Sequence, residues 1–288
     1  MLKKSRETNS LGTVVLVVGV ALVAASALWL LWTGDTGVRY SADHGETVPM
    51  WARWIPALAG IALVRLVPAK APTSAPSATS GRALRIQAGT LMVLALVFAV
   101  SLRSAGGGEP AHTLFKLSML LGVPVAMFWV MRPGRPIPVA RDGTTPWQRV
   151  APAIPVGTWL LLSYCGPLAI PPGDDAPIDS LGMLLATIAV GFLLNALLEE
   201  VFYRRWLQSR WEVLLGRLPA IVLTSALWAS WHIGIQGTGA LHVDLAHVFV
   251  NQGVLGLFLG YLWSKYRAMW PILVVHGAVN ALPLLLPA

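Results

Sequence analysis

Between Leu181 and Leu198 the chain carries no charged side chain, and apolar runs of this kind recur along its whole length. About 20 apolar residues in helical form cross the hydrocarbon layer of a bilayer. No water is at hand there to satisfy a backbone N–H or C=O, so each run must bond to itself as a helix. Nine such runs are legible, at about 11–32, 51–68, 84–102, 114–131, 150–170, 181–200, 219–235, 243–263 and 270–287. The composition agrees: 56% of residues are hydrophobic and 12% charged, against roughly 25% charged in soluble domains. The expected fold is all-α: a polytopic transmembrane helical bundle of eight or nine spans around an intramembrane polar cavity.

A net charge of +8 raises the question of nucleic acid, and its distribution answers it. Lys3, Lys4 and Arg6 precede the first run. Arg65, Lys70, Arg82 and Arg85 flank the connection after the second, and Arg132, Arg135, Arg141 and Arg149 the connection after the fourth. Arg204, Arg205, Arg210 and Arg217 follow the sixth run, Lys265 and Arg267 the eighth. That gathers 17 of the 21 basic residues on alternate connections. The opposite connections carry Asp35, Asp43, Glu46, Glu109, Asp174, Asp175 and Asp179. The excess is therefore a topology signal that places the N-terminus in the cytoplasm and, with nine spans, the C-terminus outside. The partners implied are the lipid bilayer and no nucleic acid.

The single cysteine, Cys165, excludes an intramolecular disulfide. The first apolar run, of about 22 residues, is longer than a signal-peptide core and reads as an uncleaved anchor. The Pro/Ser/Thr-rich stretch Lys70–Arg82 reads as a flexible connection. It divides the chain into a membrane pair with linker (1–83) and a bundle (84–288). The short polytopic chain suggests a bacterial inner membrane.

Ionisable groups inside a membrane cost roughly 2.5–3.5 kcal/mol each and mark function by default. The last four runs hold Glu199, Glu200, Arg204, His232, Asp244, His247 and His276, with Asn280 as a polar companion. Glu200 and Arg204 are spaced i, i+4, so they stack and can pair. Glu199, turned by about 100°, is left unpaired and free to act as a general base. A turn at Gly216–Pro219 places Glu200 and His232 each about 24 Å away along antiparallel helices, at one depth. Glu199 and His232 are then expected to face each other, in a cavity opening toward the cytoplasm. Trp228 lies one turn before His232 on the same face. His276 and Asn280, again i, i+4, are aligned donors suited to a developing oxyanion. His242, Asp244 and His247 fit a loop or packing role.

These residues fall into three motifs in order: Glu199-Glu200-Val201-Phe202-Tyr203-Arg204 (EExxxR), Trp228-Ala229-Ser230-Trp231-His232 (FxxxH, with tryptophan in the aromatic place) and His276-Gly277-Ala278-Val279-Asn280 (HxxxN). Over about 180–285 the chain resembles the CAAX-protease and bacteriocin-processing (CPBP, or ABI) family of intramembrane endopeptidases. The resemblance implies that Glu199 and His232 activate a water and that His276 and Asn280 form the oxyanion hole. Glu200 and Arg204 would orient the pair, with Trp228 shaping the pocket. It implies a membrane-tethered peptide or protein substrate, a C-terminal tail or peptide precursor. No cofactor is expected; the alternative is zinc on Glu199, His232 and His276. The competing reading is a non-enzymatic immunity or scaffold protein of the same fold. A proton-coupled transporter would show polar residues in both halves, whereas here they gather in the last third.

Overall fold

The computed structural model describes residues 2–40, 46–67, 81–131, 146–170 and 180–285. Most of the linker (70–80), Lys70, Arg132, Arg135, Arg141, Asp43, Asp174, Asp175 and Asp179 lie outside the described residues. Among the described residues, nine helices of more than one turn or two carry the fold, besides the short helix Pro146–Val150: α1 (Leu2–Thr33), α2 (Met50–Leu66), α3 (Gly81–Ser104), α4 (Ala111–Met131), α5 (Ala153–Tyr164), α6 (Leu181–Leu215), α7 (Arg217–Gln236), α8 (Leu241–Tyr266) and α9 (Met269–Leu285). An antiparallel pair of short strands, β1 (Gly37–Arg39) and β2 (Thr47–Pro49), joins α1 to α2.

Each expected apolar run contains a helix, but among the described residues six helices, rather than eight or nine, have the length and composition to cross a membrane. The shortfall lies in α2, α5 and α9. The run expected at 150–170 yields only the 12 residues of α5, about 18 Å of rise. Gly166, with φ +97°, and Pro167 end it early. α9 holds Pro283 near its end and stops at 17 residues.

α6 starts on Ser180, whose hydroxyl accepts from the Met183 N–H at 3.4 Å, the usual N-cap device. It continues far past the glutamates to Leu215 and turns at Gly216, where φ is +91°. This is the expected hairpin with α7. α8 lies innermost. Its Gly260 presents backbone so closely to the neighbouring helices that a Cβ there would meet the Ile221 side chain at 2.9 Å. The Gly260 carbonyl accepts from Gln208 Nε2 at 2.9 Å, so a small residue and a buried amide join three helices.

The N-terminal pair does not stand apart from the bundle. α1 packs along α7, and α2 packs against α5 and α8. The Trp54 indole donates to the Val250 carbonyl at 2.5 Å, and Arg53 Nε donates to Asn251 Oδ1 at 3.2 Å. The strand pair closes this end, with Val38, Tyr40 and Val48 packed against Ala27, Leu30 and Val250.

Candidate active site

Glu199 and Glu200 lie on α6 between two π-helical stretches, Phe192–Leu197 and Val201–Gln208. Such stretches recur at functional sites. Both carboxylates are fully buried. The expected pair forms, with Arg204 Nε 3.3 Å from Glu200 Oε2. Glu200 also holds His276, whose Nδ1 is 2.8 Å from Oε1. An ionised carboxylate only accepts, so Nδ1 carries the proton. In the neutral ring Nε2 is then an acceptor, and it lies 4.0 Å from Glu199 Oε2. His276 can donate to an oxyanion only when doubly protonated. Asn280 needs no such condition: its Nδ2 is buried without a hydrogen-bond partner.

Glu199 is not unpaired, which corrects the expectation from spacing. Lys116 of α4 places Nζ 2.6 Å from Oε1, and the Trp228 indole N–H donates to Oε2 at 2.7 Å. Lys116 also donates to Asn195 Oδ1 at 2.6 Å and lies 4.8 Å from the Trp231 ring centre. An isolated carboxylate is expensive to bury, and this one is compensated by a buried ammonium. Lys116 and Arg204 therefore balance the two glutamates charge for charge. Trp228 does more than shape a pocket, because a phenylalanine in its place could not donate.

His232 sits where α7 breaks, at Trp231-His232, between the helical stretches Arg217–Ser230 and Ile233–Gln236. Its Nδ1 lies 3.0 Å from the Trp228 carbonyl, to which it can only donate. The Trp231 ring stacks on it at 3.9 Å. No hydrogen bond joins His232 to Glu199. Both instead line one cavity of about 490 Å³, together with His276 and Asn280.

The cavity also reaches Tyr40, Gly106–Glu109 and Gln236. Those residues belong to connections opposite the basic ones, so its loop-lined end faces away from the side expected. The depth arithmetic explains this, since residues 24 Å from the Gly216 turn are nearer the other face. At this mouth Glu109 accepts from the Thr113 N–H at 3.2 Å and its hydroxyl at 3.1 Å. Slight burial opposes the ionised form, but these bonds and the adjacent His112 outweigh it and hold the carboxyl below its usual range. Gly107, with φ +75°, packs so tightly on α7 that a Cβ would fall 1.8 Å from the Gly234 carbonyl oxygen. Asp244 receives Arg103 Nη1 at 3.0 Å and the Thr238 N–H at 2.7 Å. His247 pairs with Asp35 at 3.2 Å, and His242 meets the Trp29 ring edge-on. All three act in packing.

The spacing of residues along the last four runs gave no sign of Lys116 or Arg53. A signal existed: four basic residues escape the alternate connections, namely Arg39, Arg53, Arg103 and Lys116. Two of these, Arg53 and Lys116, lie within helices and line the cavity.

Beside the cavity lies an apolar groove of about 690 Å³ between α5, α6 and α9, walled by Leu160, Leu185, Ile188 and Leu273. It shares Gly191 and Asn280 with the cavity. Among the described residues no three His, Cys, Asp or Glu side chains converge as ligands. The Glu199 edge that a dication would need is held by the Lys116 ammonium.

Residues 181–282 match the family model described as type II CAAX prenyl endopeptidase Rce1-like. No curated protein and no solved structure matches the chain.

Proposed function

We propose that this chain, whose residues 181–282 match the family model described as type II CAAX prenyl endopeptidase Rce1-like, hydrolyses peptide bonds of membrane-tethered substrates by a metal-free, glutamate-based mechanism. One observation carries the reading: Glu199, His232, His276 and Asn280, brought from three helices, line a single buried cavity. In the proposed step Glu199 takes a proton from water as the water oxygen attacks the peptide carbonyl carbon. His232, its outward nitrogen unblocked, holds that water. The oxyanion is received by Asn280 Nδ2, and by His276 once protonated. The proton on Glu199 then passes to the departing amine nitrogen as the C–N bond breaks. Glu200 and Arg204 fix the His276 ring; Lys116 and Trp228 fix Glu199. A positioned general base contributes about 10²–10⁴-fold. The groove that adjoins the cavity at Gly191 and Asn280 supports a substrate with a lipid anchor, because an acyl or prenyl chain could lie there while the peptide enters the polar space.

The test is cleavage of lipid-anchored peptides in reconstituted membranes. Wild-type activity is expected to survive a strong chelator and to fall at least a hundredfold in Glu199→Ala and in His232→Ala. Activity lost to the chelator and restored by zinc would sink the metal-free mechanism. Cleavage unchanged in Glu199→Ala would sink the site. No turnover by any form would favour the non-enzymatic scaffold.

We further propose, from loop charge, that the chain lies in a bacterial inner membrane with its N-terminus in the cytoplasm. Cys165, exposed at the end of α5, is then on the outer face. A membrane-impermeant maleimide added to intact spheroplasts should label it; labelling only after lysis would invert the topology.

A further inference from the structure

Arg53 is a buried cation with no anion beside it among the described residues. It lies on α2, 9% exposed, with Nε bonded to Asn251 Oδ1. Among the described residues no Asp or Glu comes within ion-pair distance of it. It is also part of the cavity wall. Its neighbours in the wall form a polar pole. Gln236 is bonded to Gln252, whose Nε2 donates to Gln236 Oε1 at 2.6 Å. Gln252 is itself buried and keeps Oε1 without a partner. Asn251 is anchored in turn, with Nδ2 donating to the Arg39 carbonyl at 2.6 Å.

This pole adjoins the proposed chemistry. Gln236 follows His232 by one helical turn, its N–H bonded to the His232 carbonyl at 2.9 Å, a rise of about 6 Å. An unpaired guanidinium in a low-dielectric wall is costly unless something anionic fills the space before it. Arginine's planar fork fits a carboxylate in bidentate fashion. The protein's own carboxylates Glu199 and Glu200 are already neutralised by Lys116 and Arg204, which leaves Arg53, among the described residues of the cavity wall, as the cation a ligand could use.

We infer that Arg53, held in place by Asn251, forms a subsite for a substrate carboxylate, a few residues of extended peptide from the scissile bond. The carboxylate is the free C-terminus of the peptide or an acidic side chain near it. The setting rests on the protease reading above, but the unpaired Arg53 does not.

The experiment uses the full chain in nanodiscs of zwitterionic lipid. The probe is a pool of randomised hexapeptides with an N-terminal lipid anchor and a photoreactive group, made once with a free C-terminal carboxylate and once as the amide. Crosslinking and cleavage are read separately by mass spectrometry. Wild type is expected to take the free-acid pool about tenfold better than the amide, since one charge-assisted bond is worth roughly 1.5–3 kcal/mol. Arg53→Gln should reduce that ratio to near one. If the preference instead follows Asp or Glu within the hexapeptide, whatever the terminus, and disappears in Arg53→Gln, the subsite stands and reads a side chain. A folded Arg53→Gln that discriminates as wild type does would overturn the proposal, as would a wild type with no preference for either carboxylate. Should Arg53→Gln fail to fold, Arg53→Lys carries the test: it keeps the charge, loses the fork, and should lose at least threefold of the ratio; an unchanged ratio refutes the subsite. Acid-selective crosslinking without cleavage would remove the protease reading and leave the subsite in place.

Discussion

Lys116→Met is expected to abolish cleavage and to lower stability by about 3–5 kcal/mol, the usual cost of leaving a buried charge without its partner. The side chain is 2.6 Å from Glu199 and buried with it, and a neutral water in its place would bring no compensating charge. The informative comparison is with Lys116→Met/Glu199→Gln. Removing both charges should recover most of the lost stability while leaving the protein inactive, because the proposed base is gone. Thermal unfolding in detergent and peptide turnover measured on the same preparations separate the two effects. If Lys116→Met unfolds at the wild-type temperature, the ion pair does not balance Glu199. If it also turns over substrate normally, Lys116 has no place in the site.

Arg204→Met should be comparably severe for the fold and act on function by another route. Arg204 is entirely buried and paired with Glu200, and Glu200 in turn holds His276 at 2.8 Å. Loss of the arginine leaves Glu200 buried without its cation, and the carboxylate that orients the His276 ring is then no longer held in place. A destabilisation of about 3–5 kcal/mol is expected together with a fall in kcat larger than any change in KM, since the ring and not the substrate pocket is displaced. Glu200→Gln/Arg204→Met should be more stable than Arg204→Met alone. Equal stability of the two would show that the pair is not coupled.

The parts of this arrangement that were legible in the sequence are those that depend on one helix at a time. The i, i+4 rule places Arg204 on Glu200, and Asn280 follows His276 into the same cavity. Equal counts from Gly216 bring His232 to the depth of the glutamates. What was not legible depends on contacts between helices far apart in the chain. Lys116 and Glu199 are 83 residues apart, and no periodicity relates them. The π-helical stretches add a second obstacle. At Lys116–Gly122, Phe192–Leu197, Val201–Gln208 and Phe249–Gly253 the i→i+5 bonding shifts the register, so the face that a 3.6-residue period assigns to Asn195 or Gln252 is not the face each presents. The span count falls short of eight or nine for a different reason. Hydrophobicity at 150–170 is continuous, while Gly166 and Pro167 stop the helix before it can cross.

The cavity is assembled from two unequal parts of the chain. The groups proposed to handle water and oxyanion all lie within 181–282, the segment that carries the family match. The cations facing the same space, Lys116 and Arg53, come from α4 and α2, outside it. If the proposals above hold, the reacting groups and the carboxylate subsite lie in different stretches of the chain. A relative could exchange α2 for another helix and acquire a new set of clients without disturbing a single group proposed to break the bond. Chimeras that graft α2 between relatives are, by the same logic, a practical way to redirect such an enzyme.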